Sequence, residues 1–194
     1  MRIQAERRGD LAPDLLDDPR LGRLSAWGEH CESLGISPGA SGNLSVRSSR
    51  GFIISRTEVE LARIGPDDWV EVTGMARQED GSLTVEYHGD HVPSRDAFVH
   101  GTVYARQPGA QAIFHLHDET MLVAAGRLGI PHTEEFFPAG TDGSVLEIER
   151  FLDSHPETRY FVLIEHGIVA WAGDLDSAGE LVEAQHRSAM EGHG

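Results

Sequence analysis

Residues 112–119 read AIFHLHDE, an apolar run that is interrupted by two histidines one position apart and followed by two acids. Successive side chains of a β-strand point to opposite faces, so a strand here places His115 and His117 on one face and Phe114 and Leu116 on the other. Two imidazoles on one face can share a cation, and this arrangement commonly forms half of a first-row metal site. The pattern also fits surface histidines or hydrogen-bonded core histidines.

A second apolar run, LIEHGIVAW at 163–171, contains His166 followed directly by Gly167. Glycine at this position lets the chain turn or lets another backbone approach closely. Both uses suit a histidine at the mouth of a site, so His166 is a third candidate residue for the site.

An acid stands near the start of a predicted helix in PSRDAFVH, residues 93–100. Pro93 and Ser94 are typical of a helix start, which places Asp96 in the first turn. Asp96 is a further candidate for the site, and the alternative is an acid that only stabilises the positive end of the helix dipole. We do not expect His88, His91 or His100 to bind the metal directly, and His100 is the best reserve candidate because it shares the helical face of Asp96. Asp118 either orients the ligands or caps the helix that follows it.

The basic residues exclude several classes of enzyme. All 16 are arginine, and the chain has no lysine, which excludes a Schiff-base aldolase, lysine-bound pyridoxal phosphate and a Walker-type phosphate loop. A net charge of −16 argues against binding to nucleic acid or to anionic lipid, since both need clusters of cations. Cys31 is the only cysteine, so no internal disulfide forms.

The order of apolar patterns predicts one α/β domain over residues 1–194, with residues 1 to about 12 frayed. No apolar leader and no apolar run of membrane-spanning length is present, so we expect a cytoplasmic protein. Strand-like runs occur at 69–72, 83–87, 112–117 and 160–171, with a hairpin at 44–55. Helical patterns occupy 94–107, 118–127, 143–153 and 175–191, together with a segment that ends at Gly35.

Four motifs in a fixed order resemble the class II aldolase/adducin family: SPGASGNLSVR (37–47), PSRDAFVH (93–100), GAQAIFHLHDE (109–119) and IEHGIVAWAGDLDSA (164–178). The resemblance covers about residues 20 to 191. It implies a three-layer αβα fold around a mainly antiparallel sheet, and a homotetramer. It also implies that His115, His117 and His166 bind a divalent metal, typically Zn²⁺, and that Asp96 is a fourth ligand or the catalytic base.

The resemblance further implies a sugar or sugar-phosphate substrate. Gly42 and Asn43 are expected to contact it, together with positions at which the family usually has Thr-Gly and Ser-Ser pairs. Here those positions are Thr57-Glu58 and Ser94-Arg95. Glu58 would repel a phosphate, and Arg95, or an inward-pointing Arg47, would offset that charge by a bidentate contact.

The implied reaction is retro-aldol cleavage of a ketose or ketose phosphate through a metal-stabilised enediolate, which needs no lysine. Family aldolases generally carry glutamate where this chain has Asp96, whereas the related 4-epimerase carries aspartate. A sugar-phosphate 4-epimerase, a dehydratase, a decarboxylase and a non-catalytic adducin-like binding module therefore remain alternatives.

Overall fold

The protein is described by a computed structural model that covers residues 3–191. Its centre is one eight-stranded sheet with the order β1-β5-β4-β3-β2-β6-β8-β7, in which every neighbouring pair is antiparallel except β1 and β5. The strands are β1 Ile3–Gly9, β2 Asn43–Arg47, β3 Phe52–Ser55, β4 Trp69–Arg77, β5 Leu83–His88, β6 Ala112–Leu116, β7 Tyr160–Leu163 and β8 Gly167–Ala172. The helices are α1 Pro13–Leu16, α2 Pro19–Ser33, α3 Ala97–Arg106, α4 Glu119–Leu128, α5 Asp142–Ser154 and α6 Leu175–Glu191.

Helices cover both faces of the sheet, so the predicted αβα layers and the mainly antiparallel sheet are confirmed. Apolar residues of α2, α4 and α6 pack on one face in a first core cluster. Those of α3 and α5 pack on the other face in a second cluster. Because β6 is buried on both faces, Phe114 and Leu116 enter the first cluster while Ile113 enters the second.

The prediction that residues 1 to about 12 are frayed was wrong for Ile3–Gly9, and residues 1 and 2 lie outside the described part of the chain. Strand β1 pairs in parallel with β5, from Ile3 opposite Leu83 to Gly9 opposite His88. Its burial repeats every third residue rather than every second, so no strand pattern is visible in its sequence. Pairing with the open edge of β5 supplies the hydrogen bonds that order it.

Two predicted runs are divided differently in the structure. The run 160–171 forms two strands, β7 and β8, joined by a tight turn in which Glu165 has a φ of 59°. Strand β6 ends at Leu116, so His117 lies one residue beyond it. The segment predicted as one helical pattern up to Gly35 is interrupted in the structure: α1 ends at Leu16 and α2 begins at Pro19, because proline cannot continue a preceding helix.

The strand register brings three chain segments together at one end of the sheet. Asn43, the first residue of β2, lies opposite His115 of β6, and Leu116 lies opposite Ile168 of β8. The start of α3 packs over the same end, so Asp96 approaches the two histidine segments. Within residues 3–191, no helix is long and apolar enough to cross a bilayer.

Candidate metal centre

Three histidines from two separate segments converge on one point. Their ligand atoms all lie within 4.8 Å of one another, with His115 buried and His117 and His166 partly buried. The ring centroids are 4.8 to 5.2 Å apart, and the rings meet at steep angles rather than stacking. The sequence-based grouping of these three residues is therefore confirmed, and their ligand atoms are close enough together to share one divalent ion.

Two of the imidazoles, those of His115 and His117, are in the neutral form that metal ligands require. His115 donates from Nδ1 to the Ile168 carbonyl at 2.9 Å, which leaves Nε2 as an acceptor pointing into the cluster. The Nε2 atoms of His115 and His117 are buried, and neither has a hydrogen-bond partner among residues 3–191. Burial lowers the pKa of His115 to about 4 and lowers the pKa of His117, so both rings are neutral at pH 7. A buried acceptor without a donor is costly, and a bound cation removes that cost.

Asp96 faces the same point. Its Oδ2 lies 3.6 Å from Nε2 of His115, and its Oδ1 lies 4.0 Å from Nε2 of His166. The Oδ1 atom is buried and has no hydrogen-bond partner. Burial raises the pKa of Asp96, but the positive charge that the neighbouring imidazoles acquire in acid, together with the Asn43 hydrogen bond, outweighs it and lowers the pKa below its ordinary value, so the carboxylate is ionised at pH 7. Asp96 stands at the N-cap position of α3, and its side chain makes no capping hydrogen bond to that helix.

Backbone strain is concentrated around this cluster. Among residues 3–191, the non-glycine residues with positive φ are Ser37, Glu58 and Glu165. Ser37 accepts a hydrogen bond from the backbone N–H of His117, and Glu165 immediately precedes His166. Such conformations cost about 1–3 kcal/mol each and persist where the surrounding structure enforces them, commonly at functional sites.

Two glycines allow the segments to meet. Gly42 has a φ of +78°, and a Cβ on it would lie 2.8 Å from the His115 carbonyl and 2.8 Å from Ser37 Oγ. A Cβ on Gly167 would lie 2.6 Å from the Leu116 carbonyl and 3.1 Å from Cε1 of His115. The predicted close approach of another backbone at Gly167 is confirmed.

Four of the residues singled out as substrate contacts lie together. Thr57, Glu58, Ser94 and Arg95 line one open cavity of about 520 Å³, whose wall also includes residues of β1. Gly42 and Asn43 are not part of that wall. Asn43 is 2% exposed and donates to Ser94 Oγ at 2.9 Å and to Asp96 Oδ2 at 3.1 Å. Its amide nitrogen is therefore engaged by hydrogen bonds within the protein.

Other charged side chains near the motifs have structural partners. Arg47 donates to the backbone carbonyls of Tyr104, Gln107 and Ala110, so it does not point at the substrate cavity. Asp118 caps α4 by accepting from the Met121 N–H and also accepts from His186, which supports the interpretation that it is a helix cap.

The sequence analysis missed one feature of the site. A small cavity of about 20 Å³ adjoins His166 and is lined by Thr133, Glu135 and Glu147, among others. Glu147 accepts from two backbone N–H groups and pairs with Arg150, whereas the Glu135 side chain is exposed at the cavity. His100 is not a metal ligand, as expected, because its two ring nitrogens bond to Asn43 and Ser45.

Known proteins share both sequence and fold with this chain. Methylthioribulose-1-phosphate dehydratase of Microcystis aeruginosa is 27% identical over 87% of this chain and 91% of its own length. L-fuculose phosphate aldolase of Escherichia coli O6:H1 is 26% identical over 75% of this chain and 69% of its own length. The crystal structure of L-fuculose-1-phosphate aldolase from Thermus thermophilus superposes with a TM-score of 0.70, at 22% identity, over 90% of this chain and 96% of that one.

The structural similarity shows the fold alone. The names of the two sequence relatives give different reactions, since one is a dehydratase and the other an aldolase. The family assignment comes from the sequence profile of the class II aldolase and adducin N-terminal domain, which matches residues 23–191. That span contains all three histidines and Asp96 and leaves out β1. The chain belongs to the class II aldolase and adducin N-terminal domain family.

Proposed function

We propose that this protein is a divalent-metal-dependent lyase that cleaves a ketose or ketose phosphate by a retro-aldol reaction. The observation that carries the proposal is the set of buried ligand atoms without partners: Nε2 of His115, Nε2 of His117 and Oδ1 of Asp96. Imidazole is an uncharged ligand, so His115, His117 and His166 would leave the charge of a divalent ion undiminished and a coordination position open. Zn²⁺ is the proposed ion, and the same ligands accept other first-row ions.

A divalent ion in this cluster supplies Lewis-acid stabilisation of negative charge on substrate oxygens. In a retro-aldol step, a substrate hydroxyl loses its proton, the adjacent carbon–carbon bond breaks, and the electron pair moves to the ketone oxygen to give an enediolate. A proton then adds to carbon. Asp96 is the proposed carrier of these protons, because its free Oδ1 faces the cluster and the lowered pKa leaves it ionised, with a lone pair that can accept a proton.

The open cavity of about 520 Å³ is the proposed site for the far end of the substrate. Ser94 and Thr57 offer hydroxyl groups there, Arg95 offers a cation, and Glu58 offers an opposing charge. Hydroxyl groups and a phosphate would both find donors in this wall, but Glu58 disfavours the phosphate.

Dehydration is the second candidate reaction, because the relative from Microcystis aeruginosa that covers 87% of this chain is a dehydratase. Loss of water needs a base for the carbon-bound proton and an acid for the departing hydroxyl. Asp96 is the proposed base, and Glu135, at the cavity beside His166, is the proposed acid. The 4-epimerase and decarboxylase alternatives use the same cluster. A non-catalytic, adducin-like binding module would not need the histidine cluster. Metal analysis of the purified protein distinguishes the two classes, because only the enzyme is expected to contain bound metal.

The first test is proton-to-deuterium exchange, followed by NMR, on dihydroxyacetone phosphate and on dihydroxyacetone in heavy water. We expect exchange by the metal-loaded protein, loss of exchange after chelation, and loss in Asp96→Asn at unchanged metal content. Exchange of one probe alone shows whether the cavity selects for phosphate. If the metal-loaded protein exchanges neither probe, the lyase proposal is wrong.

The second test separates lyase from dehydratase with one substrate, methylthioribulose 1-phosphate. Retro-aldol cleavage gives dihydroxyacetone phosphate and a methylthio-aldehyde, whereas dehydration gives a single product lighter by one water. Mass spectrometry distinguishes the two. Glu135→Gln should impair only the dehydration. A homotetramer and a cytoplasmic location remain predictions.

A further inference from the structure

A directed series of hydrogen bonds links α3 to Asp96 through the buried side of the sheet. Tyr104 bonds to Ser45 at 2.9 Å, Ser45 bonds to Nδ1 of His100 at 2.6 Å, and Nε2 of His100 bonds to Asn43 Oδ1 at 2.6 Å. The Asn43 amide nitrogen then donates to Asp96. All five side chains are at most 8% exposed, and His100 is fully buried. The series follows from spacing, because residues 96, 100 and 104 share one helical face and residues 43 and 45 share one strand face.

The direction of every bond follows from the carboxylate. Ionised Asp96 only accepts, so Asn43 must present its NH₂ group to it and its Oδ1 to His100. His100 must then carry its proton on Nε2 and accept at Nδ1. Ser45 donates to that nitrogen and accepts from Tyr104. Burial lowers the pKa of His100 to about 3, so the ring stays neutral and this tautomer is the one present.

We infer that His100 is a positioning residue: its Nε2–H holds the Asn43 amide in the one orientation that binds Asp96 Oδ2 and leaves Asp96 Oδ1 directed at the histidine cluster. A rotated Asn43 would turn its carbonyl oxygen towards the carboxylate and its NH₂ towards the Nε2–H of His100. Both contacts would be repulsive, so the neutral histidine and the carboxylate together select one orientation.

The far end of the series is anchored to the backbone. Arg47 lies over the Tyr104 ring with its guanidinium carbon 4.5 Å from the centroid, and it bonds to carbonyls at the end of α3 and beyond it. Tyr104 is thereby held against Ser45, and the His100 ring is held at Nδ1 as well as at Nε2. The expected effect of His100 on the reaction rests on the proposed function, in which Asp96 carries the proton. The inferred orientation of Asn43 does not depend on that assignment.

Asn43 is the only asparagine in the chain, so the orientation can be observed directly. Asparagine labelled with ¹⁵N in the side chain gives one NH₂ signal pair, whose exchange with solvent reports the bonds to Ser94 and Asp96. His100→Gln and His100→Asn are a matched pair, because the Gln amide extends to the position of Nε2 while the shorter Asn amide extends only to that of Nδ1. Thr102→Val is the control, since Thr102 is buried on the same helix and bonds only to the Phe98 carbonyl.

We expect slow exchange of the Asn43 NH₂ protons in the parent, in Thr102→Val and in His100→Gln, and exchange at least tenfold faster in His100→Asn. Equal protection in the His100→Asn and parent proteins would overturn the inference. Equal loss in the Gln and Asn variants would do the same, because it would show that His100 acts through packing rather than through its Nε2–H.

The kinetic readout is deuterium exchange on dihydroxyacetone phosphate. His100→Asn should lower kcat about tenfold, with KM and metal content near the parent values, and His100→Gln should restore most of the loss. A change in KM alone would contradict a role through Asp96. If the parent protein exchanges neither dihydroxyacetone phosphate nor dihydroxyacetone, the lyase proposal fails, and the NH₂ measurement still decides the positioning role.

Discussion

The substitution Gly167→Ala should weaken metal binding more than it weakens the fold. An added Cβ would meet the Leu116 carbonyl at 2.6 Å, Cε1 of His115 at 3.1 Å and Cδ2 of His117 at 3.2 Å. Reaching an ordinary contact of 3.4 Å with the carbonyl requires β6 and β8 to part by roughly 0.8 Å at this point. Both imidazoles are attached where that displacement occurs.

The size of the effect can be worked out from this geometry. Overpacking a buried site costs about 1–3 kcal/mol, which lowers Tm by roughly 2–4 °C per kcal/mol in a protein of this size. Metal–ligand distances tolerate only about ±0.2 Å, so the displacement exceeds what the site can absorb. Disturbing the groups that orient metal ligands typically costs about 10–100-fold in affinity, and we expect a loss in that range.

The assay is competition for Zn²⁺ between the protein and a chromogenic chelator, with thermal unfolding of the metal-free protein in parallel. Gly173→Ala is the matched control, because it lies just past the other end of β8 and its added Cβ would meet only the Gly109 carbonyl, at 3.9 Å. Parent-like Zn²⁺ affinity in Gly167→Ala would refute the reasoning, since it would show that the histidines do not depend on this backbone contact.

Three further changes have defined outcomes. Asp96→Asn should keep the metal measured by atomic absorption but lose at least about 100-fold in turnover, because a neutral amide cannot carry the proton; parent-like turnover would remove Asp96 from the reaction. The pKa of His100 is about 3 when folded and near 6.5 when unfolded, so lowering the pH from 7.5 to 5.5 should cost the metal-free protein roughly 1–2 kcal/mol through this group. Urea unfolding should show that pH-dependent loss reduced by a similar amount in His100→Gln, and an unchanged pH dependence would contradict the lowered pKa of His100. Gly126→Ala on α4, where an added Cβ meets nothing within 4 Å, should raise stability by about 0.5–1 kcal/mol without changing Zn²⁺ affinity, and a lower Tm would contradict this.

Local patterns predicted the buried strands and singled out His115, His117 and His166 as candidates, and the resemblance to the family joined these three into one site. The apolar residues on either side of His115 predict a buried strand, and strand alternation directs its ring to the opposite face from Phe114 and Leu116. A glycine directly after His166 predicts a close backbone approach, which the structure shows against Leu116. These inferences succeed because they depend on residues a few positions apart, whose relative directions follow from backbone geometry.

The features that escaped prediction depend on partners far away in the chain. Strand β1 has no alternating pattern of its own and is ordered by the open edge of β5, about 80 residues later. His100 fits a metal ligand by spacing from Asp96, yet its ring nitrogens are engaged by Asn43 and Ser45, which are 57 and 55 residues away. Hydrogen-bond partners of this kind are set by the packing of α3 against β2, and no local periodicity records which buried polar groups that packing will bring together.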